Sequence, residues 1–223
     1  MVELQSIRCE RKYCLSADSH NDLESIILRH PALFKKTYPA RQINNIYFDT
    51  PDFDAFVDNI DGNSHREKIR IRWYGTDFPR IKNPVLEIKT KIGLAGGKIQ
   101  RKLNSFKYSK ESFLQYIIKN KDVNNIFNIK CLKPVIVNKY SRKYFISNDG
   151  NFRITIDTGV MYCLIRNTTD DWLYIEPEIK HTIMELKYHP NVEPVVSTIT
   201  NYFPFRVAKS SKYANGVCLL YGT

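Results

Sequence analysis

Polar and apolar residues alternate with a period of two through REKIRIRWYG, residues 66–75. On a strand, Lys68, Arg70, Arg72 and Tyr74 share one face, and Ile69, Ile71 and Trp73 share the other. LQSIRCERKYCL (4–15), RQINNIYFDT (41–50), NPVLEIKTK (83–91), KIQRKLNSF (98–106) and HTIMELKYH (181–189) read as further strands, the second halted at Pro51. The Gly-rich GLAGG predicts a turn between the third and fourth of these. Leu23, Ile26, Ile27 and His30 instead recur at helical spacing, and DFDAFVDNIDG predicts a short helix ending at Gly62. Further helices are expected near 109–119 and 121–129, and over EPVVSTITNYF and SSKYANGVCLLY. No repeat, low-complexity tract or long Pro/Gly linker divides the chain, so one domain over 1–223 is expected. Its class is α+β, a predominantly antiparallel sheet or barrel of about eight strands with peripheral helices.

KPVIVNKYSRKYFIS and NFRITIDTGVMYCLI flank Asn148-Asp149-Gly150-Asn151, a hairpin signal. With Asp149 and Gly150 as the loop, Arg142 stands opposite Asp157, Tyr144 opposite Thr155 and Ile146 opposite Arg153. Opposed residues share a face, so Tyr140, Arg142 and Arg153 project to one side and Asp157 can orient Arg142. A second regularity is Glu10-x-Lys12, Glu87-x-Lys89 and Glu185-x-Lys187, each inside a predicted strand. Residues two apart share a face, so each motif sets a carboxylate beside an ammonium. A single exposed pair of this kind contributes about 0–1 kcal/mol and needs no function. Three of them, beside Arg70/Arg72 and Arg142/Arg153, point to a common charged site.

Composition narrows the partner. A net charge of +11 and a pI near 9.4 imply an anion: nucleic acid, a membrane surface or phosphates. The longest apolar runs, such as GVCLLYG, fall far short of the ~20 residues of a membrane span. MVELQSIRCERKY lacks the apolar core of a secretory signal. Five cysteines without a C-x-x-C pair predict reduced thiols and a cytoplasmic location.

A nucleic-acid platform would interleave aromatic rings with its cations and avoid carboxylates that repel phosphate. This chain interleaves glutamates, which disfavours nucleic acid. Carboxylates among phosphate-binding cations make sense where a divalent metal bridges them to phosphate oxygens, and hard Mg²⁺ or Mn²⁺ prefers such ligands. A basic cavity for a short, highly charged phosphate chain fits best. Other signals carry less. GLAGGKI has the wrong spacing for a P-loop and no Ser/Thr, and lies between strands. His181, Glu185 and His189 would share a helical face, but on a strand residues four apart stand ~13 Å apart. His20, His30 and His65 have no partner pattern.

RCERKY (8–13), YFDTPDFDAF (47–56), KIRIRWYG, LEIKTK, YSRKYF…NFRITID, MELKY and KSSKYANG (209–216) occur in one order along the chain. That order resembles the VTC-type polyphosphate polymerase domain, within the CYTH-like superfamily of triphosphate tunnel metalloenzymes, over roughly residues 6–218. The resemblance implies a closed antiparallel barrel whose lumen is lined by Lys and Arg. By position it implies a phosphate-binding set of Lys12, Arg70, Arg72, Lys89, Lys98, Arg101, Arg142, Arg153, Lys209 and Lys212. Tyr140 and Ser211 add hydroxyl contacts, Lys102 is the alternative to Arg101, and Glu185 is the principal metal ligand beside Glu87 and Glu10. Arg8 stands where the superfamily has the first of two alternating glutamates, as in the VTC-type branch. The implied reaction moves the γ-phosphate of ATP onto a polyphosphate chain with Mn²⁺ or Mg²⁺, and Arg70, Arg72, Lys89 and Glu185 are its catalytic group. Hydrolysis of triphosphate or nucleoside triphosphate is the alternative on the same fold. A non-catalytic module binding polyphosphate or inositol phosphate is another.

Overall fold

Eight antiparallel strands carry the alternation around a closed ring. The structure, a computed structural model, describes residues 5–16, 20–92, 95–129, 131–165, 173–177 and 180–222. Its strands are β1 (Gln5–Leu15), β2 (Lys35–Asp49), β3 (His65–Tyr74), β4 (Arg80–Ile81), β5 (Val85–Ile92), β6 (Ala95–Lys102), β7 (Phe106–Lys107), β8 (Lys133–Ile146), β9 (Phe152–Leu164) and β10 (Thr182–Tyr188). The helices are α1 (His20–Leu28), α2 (Asp54–Asp61), α3 (Lys110–Lys119), α4 (Lys121–Ile129), α5 (Ser197–Thr200) and α6 (Lys212–Tyr221). The ring runs β1-β10-β9-β8-β2-β3-β5-β6, and β6 returns to β1; β4 and β7 form a separate two-stranded sheet. Among the described residues no helix is long and apolar enough to cross a membrane.

The hairpin register is as expected: Arg142 opposes Asp157, Tyr144 opposes Thr155 and Ile146 opposes Arg153. Its loop is wider than two residues. The Ser147 amide donates to the Phe152 carbonyl at 2.9 Å and the Gly150 amide to the Ser147 carbonyl at 3.0 Å. Gly150 takes the left-handed φ of 78° that this turn requires. Other expectations shift. Gly96 and Gly97 lie within β6, opposite Lys91 and Thr90, and the link between β5 and β6 at residues 93–94 lies outside the described residues. The helix expected over EPVVSTITNYF is a 3-10 turn at Pro190–Val195 followed by the single turn α5, because Pro194 supplies no amide to an α-helical ladder.

Both faces of the sheet are buried, against different things. Phe145, Ile154, Met184 and Leu186 pack under Leu23 and Ile27 of α1 and Ile199 of α5. Ile69, Ile71, Trp73 and Leu86 pack under Phe113 and Ile117 of α3 and Val123 of α4. The apolar face of the strands is therefore the outside of the ring, and the charged face is its inside. A third cluster joins Tyr47, Ile136 and Tyr162 to Tyr213 and Val217 of α6. Tyr47 opposes Arg70, and Asn138 opposes Tyr162, so α6 packs at one end of the inner face. Asp49 fixes that end. It is buried, and its carboxylate accepts the amides of Thr50, Ala55 and Phe56 and the hydroxyl of Tyr213. This joins β2 to the start of α2 and to α6.

Candidate phosphate-binding lumen

Four carboxylates organise the inner face. Glu87 is buried on β5, directly opposite Arg70 on β3. Arg70 reaches its Oε2 with Nε at 2.8 Å and Nη2 at 2.6 Å, and Arg72 Nη1 approaches the same oxygen at 3.6 Å. Oε1 accepts from Gln100 at 2.6 Å and from Lys98 at 3.3 Å. Burial alone would raise the Glu87 pKa; the two guanidinium groups and Lys98 outweigh it and hold the carboxyl well below its ordinary range. The guanidinium groups are fixed from their other sides. Arg70 Nη1 donates to the Tyr47 hydroxyl at 3.0 Å, Arg72 Nε to Asn45 Oδ1 at 2.9 Å, and Arg72 Nη2 to the Tyr140 hydroxyl at 3.2 Å.

Asp157 does for the opposite wall what Glu87 does here. Arg142 meets it twice, at 2.5 and 2.6 Å, and Lys212 from the first turn of α6 meets it at 2.5 Å. Glu185 completes this side, with Lys187 at 2.8 Å, Lys12 at 3.5 Å and Arg142 at 3.6 Å. Glu10 takes Lys89 at 3.1 Å and Lys12 at 3.2 Å. Burial and neighbouring Glu185 push Glu10 up, but Lys12, Lys89 and Lys187 pull it down to about 2. The Lys12 ammonium thus stands between Glu10 and Glu185, and it donates to the Ser210 carbonyl at 2.9 Å.

The residues expected from the sequence separate into three groups. Lys12, Arg70, Arg72, Lys89, Lys98, Tyr140, Arg142, Lys212, Glu10, Glu87 and Glu185 converge on the inner face through the contacts just described. Ser211 joins them, accepting from Lys68 Nζ at 2.7 Å while capping α6. Arg153 and Lys209 are exposed: Arg153 lies on the inner row opposite Ile146 and Lys187 at the β9 end, and Lys209 is among the charges that act on Lys91. Arg101 is on the wrong side. It opposes Leu86, whose side chain belongs to the outer core, whereas Lys102 opposes Val85 on the inner row. The pairing of Lys89 with Lys98 fixes that register, and one residue changes the face.

Lys68 was not in the expected set, although its place two residues before Arg70 puts it on the same row. It is held close to Lys12, Lys89, Arg66 and Arg70. Burial, then these four cations, lower its pKa to about 7. Asn45 and Tyr47 were also missed, since only the β2–β3 register reveals that they oppose Arg72 and Arg70.

The fit to a divalent ion is specific but limited. Among the described residues no three His, Cys, Asp or Glu side chains gather around one point. Glu10 and Glu185 are bridged by the Lys12 ammonium, a point charge in the place a metal ion would take, whereas Asp157 and Glu185 share the Arg142 guanidinium. Thr155 Oγ1, on the residue opposite Glu185, is buried without a hydrogen-bond partner. Mg²⁺ and Mn²⁺ are commonly held by one or two carboxylates, with water and phosphate oxygens supplying the rest. Glu87, whose two oxygens are taken by arginine, lysine and glutamine, is a counter-ion in this arrangement.

A sequence model of the VTC domain matches residues 7–221. Among solved structures, a Bacillus halodurans protein provisionally named an adenylate cyclase superposes with a TM-score of 0.57 at 15% identity, covering 97% of this chain and 98% of its own. A Pyrococcus horikoshii protein gives a TM-score of 0.55 at 13% identity, covering 97% and 99%. A Hippeastrum protein, provisionally named an adenylyl cyclase and described as having a dominant triphosphatase activity, gives 0.50 at 11% identity, covering 94% of each chain. At these identities the likeness is one of fold.

Proposed function

The chain belongs to the VTC domain family and has its tunnel-like α+β fold, and from that premise we propose that it transfers the γ-phosphate of ATP to a growing polyphosphate chain. One observation carries this reading: each of Glu10, Glu87, Asp157 and Glu185 is ion-paired and held ionised below its ordinary pKa. None of the four is suited to take a proton from water, because an efficient general base has a pKa near the working pH. The terminal phosphate of a polyphosphate chain needs no such base. Its oxygen is already anionic and attacks the γ-phosphorus, the bond from that phosphorus to the β–γ bridging oxygen breaks, and ADP leaves with the electron pair.

Phosphoryl transfer asks the protein for positioning and charge neutralisation. Arg70, Arg72 and Arg142 supply fork-shaped donors whose direction is fixed by Glu87, Tyr47, Asn45 and Asp157. Lys12, Lys89, Lys98 and Lys212 supply point charges. The ion pairs hold these cations in place while substrate is absent. Glu185, with Glu10, would hold Mn²⁺ or Mg²⁺, which supplies Lewis-acid polarisation of phosphate oxygens.

Hydrolysis of triphosphate is the second reading, favoured by the dominant triphosphatase activity described for the Hippeastrum neighbour of the same fold. The test is incubation with γ-labelled ATP and Mn²⁺, followed by separation of long polyphosphate from orthophosphate. Label in polymer supports transfer. Label appearing only as orthophosphate overturns it in favour of hydrolysis.

A further inference from the structure

The two ends of the inner face differ. At one end α6 packs on Tyr47, Ile136 and Tyr162. Following the same strands to the other end leads from Arg72 to Tyr74 on β3, and from Arg142 to Tyr144 on β8. Each tyrosine lies two residues past its arginine, on the same face and about 7 Å further along the strand. Arg41 of β2, opposite Arg142, sits between them. Its guanidinium carbon is 5.7 Å from the Tyr74 ring centroid, 5.7 Å from that of Tyr144 and 5.0 Å from that of Tyr38. Tyr38 and Tyr144 meet edge to face at 5.7 Å. Tyr38 is 57% exposed and Tyr74 45% exposed, so two large rings at this rim face solvent. Arg142, Arg41 and Arg72 are all close enough to act on the Tyr144 hydroxyl, which places the cluster beside the phosphate-binding cations.

Inorganic phosphate has no use for aromatic rings; a nucleobase does. Rings and guanidinium planes offer stacking surfaces that accept any base. We propose that Tyr38, Tyr74 and Tyr144, gathered around Arg41, form the stacking site for the base of a nucleoside triphosphate whose phosphates reach inward to Arg72 and Arg142. The inference rests on the nucleoside-triphosphate reading of the lumen and adds where the base is held: outside the ring, next to the end away from α6. Stacking without a dedicated set of base-edge hydrogen bonds discriminates weakly among bases, so ATP and GTP bind with similar affinity, ahead of the smaller pyrimidines.

Calorimetric titration of ATP and of inorganic tripolyphosphate into the wild type and into Tyr74→Leu, Tyr38→Leu and Tyr74→Phe separates the possibilities. The leucine variants are expected to weaken ATP roughly ten-fold and leave tripolyphosphate unchanged, and Tyr74→Phe to bind ATP as the wild type does. Equal loss of both ligands in the leucine variants, or loss of neither, overturns the stacking site while leaving the lumen reading in place. A wild type that binds neither ligand overturns the lumen reading itself, and the stacking site with it.

Discussion

Arg70 and Glu87 oppose each other across the β3–β5 ladder and meet inside the ring at 2.6 Å. Neither is on the surface, and neither is paired with its neighbour in sequence: the Glu-x-Lys spacing offered Lys89 to Glu87, but Lys89 reaches Glu10. The pair matters because the inner face holds more cations than carboxylates. Glu87 is the counter-ion that lets Arg70 and Arg72 stand together in a poorly solvated space.

Removing that counter-ion should expose the repulsion. Breaking a buried pair by deleting one partner costs about 3–5 kcal/mol. Glu87→Gln is therefore expected to lower the urea midpoint. Tripolyphosphate at saturation should recover more stability in the variant than in the wild type. Equal recovery in the two would show that Glu87 does not offset the charge of the arginines.

Lys68 links phosphate binding to pH. Its folded pKa of about 7 lies below the unfolded value of 10.5. Between these values the unfolded chain binds more protons, so this residue's unfavourable contribution is complete below about pH 7 and fades as pH rises toward 10.5. A polyanion favours the ammonium, so binding above neutrality takes up a proton at Lys68. Calorimetry in buffers of different ionisation enthalpy should reveal that uptake at pH 8. In Lys68→Met it should fall, leaving only the smaller share of Lys89, Lys91 and Lys98, whose pKa values burial also lowers.

Glu185 separates binding from turnover. Glu185→Gln removes a charge held by Lys187, Lys12 and Arg142 and leaves those cations for phosphate. Tripolyphosphate affinity should stay within a few-fold of wild type or rise, while Mn²⁺-stimulated release of ADP from ATP falls to background. Full stimulation in the variant would exclude Glu185 from holding the ion.

Gly216 sets how closely α6 approaches the ring. A Cβ built there would lie 2.5 Å and 2.7 Å from Tyr162 ring carbons and 2.6 Å from Ile136 Cδ1. Gly216→Ala should lower stability by about 1–3 kcal/mol through overpacking, despite the better helix propensity of alanine. Thermal unfolding reads this directly, and an unchanged midpoint would mean that α6 is free to shift.

Much of this was written in the alternation of residue types. Ile69, Ile71 and Trp73 against Lys68, Arg70 and Arg72 defined two faces, and the turn at Gly150 fixed Arg142 opposite Asp157. These are local consequences of a period of two and a tight turn. Local pattern says nothing about which face is concave. Closure of the ring decided that by turning the apolar faces outward under α1, α3 and α4 and enclosing the charges. Pairing between strands distant in sequence decided the rest. It gave Glu87 to Arg70, turned Arg101 outward, and brought Arg41 among Tyr38, Tyr74 and Tyr144. Register is settled by the total burial of both faces around a closed sheet, a sum to which every strand contributes and which no single segment contains.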